Sequence, residues 1–156
     1  MDSLILGVHL VGASVWVGGS VTLGVTSAAL ARYRRQGPEA AVPVLLAVAR
    51  EVSRVLWVAL ALTILTGLYN LTWYLPPGAT LSAYPILEAK ILLVGLMVVL
   101  SALHTFVVGV RLRRRREAGA SPEATAPLQR AMALLAVLSL ICTFGVVFLA
   151  AFLGGP

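Results

Sequence analysis

The chain has 156 residues, of which 60% are hydrophobic and 12% are charged. Soluble domains average about 45–50% apolar and about 25% charged residues, so this composition excludes an ordinary soluble protein and indicates one that crosses a membrane several times. The net charge of +6 does not indicate nucleic-acid binding, because the basic residues are concentrated in two segments between apolar stretches.

Four apolar stretches are each long enough to cross a bilayer as a helix, which takes roughly 20 residues. The helices predicted from them cover residues 4–30, 44–74, 86–110 and 128–153, and the apolar part of the second is residues 55–74. Helices satisfy their backbone hydrogen bonds internally, as the lipid interior requires. We therefore predict an all-α integral membrane protein, an antiparallel four-helix bundle that forms a single domain over residues 1–156.

The basic residues predict the orientation of the chain. Eleven of the twelve follow the first stretch or the third, and they are Arg32, Arg34, Arg35, Arg50, Arg54, Arg111, Arg113, Arg114, Arg115, Arg116 and Arg130. The positive-inside rule places such segments in the cytoplasm, so we expect both termini outside. We expect a multi-pass protein of a bacterial or archaeal cytoplasmic membrane, with membrane lipids as partners and no nucleic acid.

Small and polar residues recur at helical spacing along one face of each stretch. These faces include His9, Gly12, Trp16 and Gly19, then Thr63, Thr66, Gly67 and Asn70, then Lys90, Ser101 and His104, and finally Met132, Ser139 and Thr143. Small residues let membrane helices approach closely, and polar residues seek partners inside a bundle. The glycines of the first face either serve helix packing alone or leave room for a flat ligand such as a porphyrin.

Two histidines lie within the apolar stretches, where ionisable side chains are costly and are usually functional. Antiparallel helices place His9 near the outer end of its helix and His104 near the inner end, roughly 15–20 Å apart in depth. Two separate sites are therefore predicted: an outer one with His9 and Lys90, above Trp16, and an inner one with His104 and Met132.

Each of these assignments has a structural alternative. Lys90 can extend its ammonium group to the outer headgroups, and Met132 can fill space between helices. His104 can hydrogen-bond Ser139 or Thr143 across helices.

Three segments resemble known membrane families. The sequence HLVGASVWVGG, residues 9–19, resembles the first-helix signature of the copper-resistance D (CopD) domain. The next two helices of that domain are similar to two further segments, residues 52–69, VSRVLWVALALTILTGLY, and residues 83–104, AYPILEAKILLVGLMVVLSALH. The same layout is similar to the HemJ-type protoporphyrinogen oxidases, which are small four-helix membrane proteins.

The resemblance implies two functions. The HemJ-type likeness implies haem b held by His9 and Lys90, and porphyrin oxidation with transfer of electrons to the respiratory chain. The CopD likeness implies copper uptake or delivery. A path for copper ions requires several Met, His or Cys ligands. The whole chain has only three Met, two His and one Cys.

The leading hypothesis is a haem b protein with an electron-transfer or porphyrin-oxidising role, and whether it is an enzyme stays open. Its cofactor-binding candidates are His9, Lys90, Trp16, Gly12, His104 and Met132, with His9 and His104 as metal ligands. A quinone, a porphyrin and a second copy of the chain are candidate partners. The alternatives are a copper-transport protein and a non-catalytic assembly subunit of a larger membrane complex.

Overall fold

The predicted apolar stretches form helices in the computed structural model, which describes residues 3–36 and 41–153 but not the side chains of residues 30–43, 45, 46 and 74. The helices are α1 (Ser3–Gln36), α2 (Ala41–Tyr74), α3 (Pro85–Ala102), α4 (Val110–Glu117) and α5 (Pro122–Leu153). A π-helical segment, Leu103–Gly109, joins α3 to α4, and a short 3-10 helix, Leu81–Ala83, precedes α3. The described residues contain no strand, which confirms the all-α prediction.

Four helical spans are long and apolar enough to cross a membrane, and they cover Ser3–Ala29, Ala47–Trp73, Pro85–Glu117 and Pro122–Leu153. Large apolar side chains stay exposed along them; Leu92, for example, is 68% exposed and Phe148 is 65% exposed. Contiguous apolar surface of this kind is rare on soluble monomers. The protein is therefore a multi-pass membrane protein, and the outward orientation of its termini stays a prediction.

The helices extend beyond the predicted boundaries. Helix α1 reaches Gln36 rather than residue 30, α2 begins at Ala41 rather than residue 44, the third helical span ends at Glu117 rather than residue 110, and α5 begins at Pro122 rather than residue 128. Apolar length measures only the part of a helix that crosses lipid, and arginine is a good helix former. The side chains of Arg32, Arg34 and Arg35 lie outside the described residues.

Local sequence explains the short turn between α4 and α5. Gly119 has a φ of +74°, which glycine adopts without steric cost. The Ala120 amide donates to the Arg115 carbonyl at 3.0 Å, which closes the end of α4 as in a Schellman motif. The Ser121 hydroxyl accepts a hydrogen bond from the Ala124 amide at 3.3 Å and so caps the start of α5.

The chain divides into two compact units, Met1–Ala79 with α1 and α2, and Thr80–Pro156 with α3, α4 and α5. In the first unit α1 packs antiparallel against α2, since Gly12 meets Thr63 whereas Gly19, further along α1, meets Leu56. In the second unit α5 packs antiparallel against α3. The single domain over residues 1–156 stays a prediction.

Candidate functional site

The imidazole ring of His9 connects α1 to α2. Its Nδ1 lies 2.9 Å from the carbonyl oxygen of Thr63 and 3.1 Å from the hydroxyl oxygen of Thr66. A carbonyl oxygen can only accept a hydrogen bond, so Nδ1 is the donor. The Thr66 hydroxyl donates to the Leu62 carbonyl at 2.6 Å, which leaves its oxygen lone pairs to accept from His9.

These contacts select the tautomer of the neutral His9 ring. With the proton on Nδ1, the lone pair of the ring is on Nε2. Metal-binding histidines almost always donate their other ring N–H to a carbonyl, a carboxylate or water, which fixes the orientation of the ring. His9 thus has the tautomer and the backbone partner that are typical of a metal ligand bound through Nε2.

Gly67 makes the contact between His9 and the Thr63 carbonyl sterically possible. A Cβ atom at position 67 would lie 3.0 Å from Cε1 of His9 and 3.5 Å from its Nδ1. Gly67 follows Thr63 by one helical turn, so its side chain would otherwise lie beside that carbonyl. The absence of a side chain opens the backbone of α2 to the imidazole ring.

Gly12 brings the two helices close together one turn along α1 from His9. A Cβ atom at position 12 would lie 2.6 Å from the Thr63 hydroxyl oxygen and 3.2 Å from the Ala59 carbonyl oxygen. Gly12 is buried. This predicted site residue therefore supports the His9 contact through close packing, as small residues do between membrane helices.

Trp16 lies two turns from His9 on the same helix and is 7% exposed. Its ring meets that of Trp57 edge to face, with 6.2 Å between the ring centroids. Asn70 of α2 lies beyond His9, toward the end of the helix pair opposite to Trp16, and is 6% exposed. Trp16 Nε1 and Asn70 Oδ1 are buried and have no hydrogen-bond partner among the described residues, so a polar ligand or water could satisfy each of them.

The α2 side of this site was visible in the sequence only as a polar stripe. Thr63, Thr66, Gly67 and Asn70 recur at helical spacing, but none was predicted as a site residue. The contact to His9 uses a backbone carbonyl, which side-chain identity does not reveal. The signal that could have found it is the Thr-x-x-Thr-Gly pattern opposite a histidine.

In the second unit, His104 is the second residue of the π-helical segment and is partly exposed. A Cβ atom at position 109 would lie 3.1 Å from the His104 carbonyl oxygen, so glycine suits this wide turn. π-Helical turns occur frequently at functional sites. His104 as a metal ligand stays a prediction.

Two serines make the polar contact between α3 and α5. The hydroxyl oxygens of Ser101 and Ser139 lie 2.7 Å apart, and the Thr143 hydroxyl donates to the Ser139 carbonyl at 2.9 Å. Among the described residues, neither the Ser139 hydroxyl nor the Thr143 hydroxyl is bonded to His104, so the predicted alternative in which His104 bonds one of them is wrong. The Ser139 hydroxyl bonds Ser101 and the Thr143 hydroxyl bonds a carbonyl of its own helix, instead of the imidazole ring of His104.

Met132 and Lys90 complete the set of predicted site residues. The pairing of Ser101 with Ser139 in antiparallel helices places Met132 about one turn, roughly 6 Å, beyond the level of His104. Lys90 lies on α3 and is partly exposed. Because Lys90 and His9 belong to different units, their pairing stays a prediction, as does that of Met132 with His104.

Among the described residues, no group of three or more His, Cys, Asp or Glu side chains is placed to hold a metal ion. Cys142, the single cysteine, is free and buried. A closed structural site, which takes four such ligands, is therefore not present in the described part of the chain.

Comparison with known proteins identifies the family. The family model described as copper resistance protein D matches residues 46–153, more than two thirds of the chain. No curated protein and no solved structure matches. The match begins within α2, so the helix that carries His9 precedes it. The resemblance noted in the sequence is thus confirmed over α2 to α5, and the chain belongs to the copper resistance protein D family.

Proposed function

We propose that the protein handles copper within the membrane and that His9 binds the ion through Nε2. The observation that carries the proposal is the hydrogen bond from His9 Nδ1 to the Thr63 carbonyl at 2.9 Å. It holds the ring in the tautomer that coordinates a metal through the other nitrogen. Imidazole is a suitable ligand for copper, and family membership supports copper as the ion.

Copper is here the cargo of the protein. The described residues offer one oriented imidazole and no group of three His, Cys, Asp or Glu ligands. His9 would then be one of the several ligands that a path for copper requires.

The test is copper uptake by protein reconstituted in vesicles, measured for the wild type, His9→Ala and His104→Ala. The second variant is a matched control, since it removes the other histidine of the chain. We expect His9→Ala to lose at least about 10-fold in uptake, because loss of an outer-shell partner alone typically costs 10–100-fold in metal affinity. Equal uptake by His9→Ala and the wild type would contradict the proposal.

A second candidate function, haem b binding with electron transfer or porphyrin oxidation, is favoured by one observation. A porphyrin supplies four of the iron ligands itself, so one or two protein ligands are enough. An oriented histidine beside Gly12 and Gly67 fits that need. Haem would supply a redox-active iron, while His9 would hold it in place.

Visible absorption separates the two functions. Protein purified from haem-replete cells should show a Soret band that His9→Ala weakens if haem is the cofactor. A preparation without this band that still takes up copper excludes the haem proposal. A preparation with the band, together with copper uptake that does not depend on His9, excludes the copper proposal.

A further inference from the structure

Three arginines line a concavity at the end of the third helical span. Arg111, Arg114 and Arg115 line a space of about 370 Å³ together with Leu128 of α5. Their spacing of three and four residues puts the three on one face of α4. All four residues belong to the second unit.

No acidic residue lines this concavity. Glu117 pairs instead with Arg113, at 3.5 Å between the carboxylate oxygen and Nε. Arg115 donates to the Ala124 carbonyl at 3.4 Å, which ties α4 to the start of α5. Three positive charges therefore share one concave space, where like charges on neighbouring helical positions repel each other.

The arginines are not required to cap the end of α4. Arginine side chains often bond the last carbonyl groups of a helix. Here the backbone amides of Ala118, Gly119 and Ala120 already bond the carbonyls of Arg114, Arg116 and Arg115, at 3.0 Å in each case. The guanidinium groups of Arg111 and Arg114 are thus available for an external anion, and that of Arg115 has further N–H donors besides the one bonded to Ala124.

The position of the concavity along the span indicates the kind of anion. Arg111 follows directly on the last apolar residues of the third stretch, and Leu128 is the first residue of the fourth apolar stretch. The concavity therefore lies where the hydrocarbon core of a membrane meets the headgroups. A phospholipid matches both parts, because its phosphate can meet guanidinium groups while its acyl region contacts leucine.

We propose that Arg111, Arg114 and Arg115 form a binding site for the phosphate of an anionic membrane phospholipid, with Leu128 against its acyl region. Guanidinium groups bind phosphate oxygens through two parallel hydrogen bonds, which gives such a site selectivity over general charge attraction. This site is separate from His9 and does not depend on the copper proposal.

The test compares two double variants that remove equal charge from the same end of the molecule. Arg111→Gln/Arg114→Gln alters the concavity but keeps the Arg115 contact to Ala124. Arg113→Gln/Arg130→Gln is the matched control. Native mass spectrometry counts the phosphatidylglycerol and the phosphatidylcholine that remain bound after purification from mixed vesicles, and circular dichroism checks that each variant is folded.

We expect the wild type and the control to retain phosphatidylglycerol over phosphatidylcholine. We expect the concavity variant to lose at least about 10-fold in retained phosphatidylglycerol, because it loses the paired guanidinium hydrogen bonds to phosphate, which are roughly twice as strong as hydrogen bonds between neutral groups. Equal losses in the two double variants would overturn the proposal, because charge alone would then explain binding. Displacement of the lipid by millimolar inorganic phosphate would also overturn it and would indicate a site for a free anion. If the double variant is unfolded, the single variant Arg114→Gln carries the same test.

Discussion

The α1–α2 pair contains His9, and the α3–α5 pair is followed on α3 by the π-helical segment that contains His104. The helices of the two pairs are connected in different ways. In the first pair His9 itself makes the interhelical hydrogen bond, to the Thr63 carbonyl. In the second pair the interhelical hydrogen bond joins Ser101 to Ser139, and Ser101 precedes His104 by three residues. Two imidazoles that look alike in the sequence therefore differ in their hydrogen bonds. A backbone acceptor fixes the His9 ring in the manner of a metal ligand, and the described residues show no such bond for the His104 ring.

The difference also extends to the glycines. In the α1–α2 pair Gly12 and Gly67 permit side-chain to backbone contacts around His9, whereas in the α3–α5 pair Gly145 only accommodates the Leu93 side chain. Close packing at Gly12 and Gly67 thus serves a polar contact, whereas close packing at Gly145 serves apolar packing, as it does at Gly19 against Leu56. Three variants sharpen this comparison.

The largest effect is expected from Gly12→Ala. The new Cβ would lie 2.6 Å from the Thr63 hydroxyl and 3.2 Å from the Ala59 carbonyl, so the helices must move apart. We expect a loss of about 1–3 kcal/mol in the free energy of unfolding, the usual range for overpacking, measured by thermal or denaturant unfolding in detergent. Gly18→Ala is the control, since nothing lies within 4 Å of its Cβ position. Equal stability of the two variants would show that close approach at Gly12 is unimportant.

A smaller effect is expected from Thr66→Val, which removes one acceptor of the His9 Nδ1–H but leaves the Thr63 carbonyl. We expect about a 10-fold loss of copper affinity, the lower end of the range for outer-shell partners, measured by competition with a copper chelator. Thr66→Ser should bind like the wild type. Thr72→Val is the matched control, because the Thr72 hydroxyl bonds only within its own helix, to the Tyr69 carbonyl. A comparable loss in Thr72→Val would speak against a role of Thr66 through His9.

The smallest effect is expected in the second pair. Ser101→Ala removes the contact to Ser139, and interhelical hydrogen bonds in membranes contribute about 0.6 kcal/mol on average. A double-mutant cycle of Ser101→Ala with Ser139→Ala should give a coupling energy of this size, with no change in copper affinity. A loss of copper affinity equal to that of Thr66→Val would mean that the two pairs do not differ in function.

Much of this arrangement could be predicted from the sequence. Apolar length predicts the four spans, and helical spacing puts His9, Gly12 and Trp16 on one face of the first helix. The helix ends could not be predicted from apolar length, because polar segments such as residues 111–117 continue a helix beyond the lipid. The π-helical turn at His104 and the carbonyl partner of His9 were also missed, since both depend on backbone geometry rather than on residue type.

The central claim is that His9 is protonated at Nδ1 and binds metal through Nε2. Nitrogen-15 magnetic resonance of protein labelled in its histidines tests both parts, with His9→Ala and His104→Ala to assign the two rings. We expect a protonated Nδ1 at His9 before metal is added, and a shift of its Nε2 resonance on addition of copper(I) while the His104 resonances stay unchanged. A bare Nδ1 at His9, or a copper-induced shift at His104 alone, would contradict it.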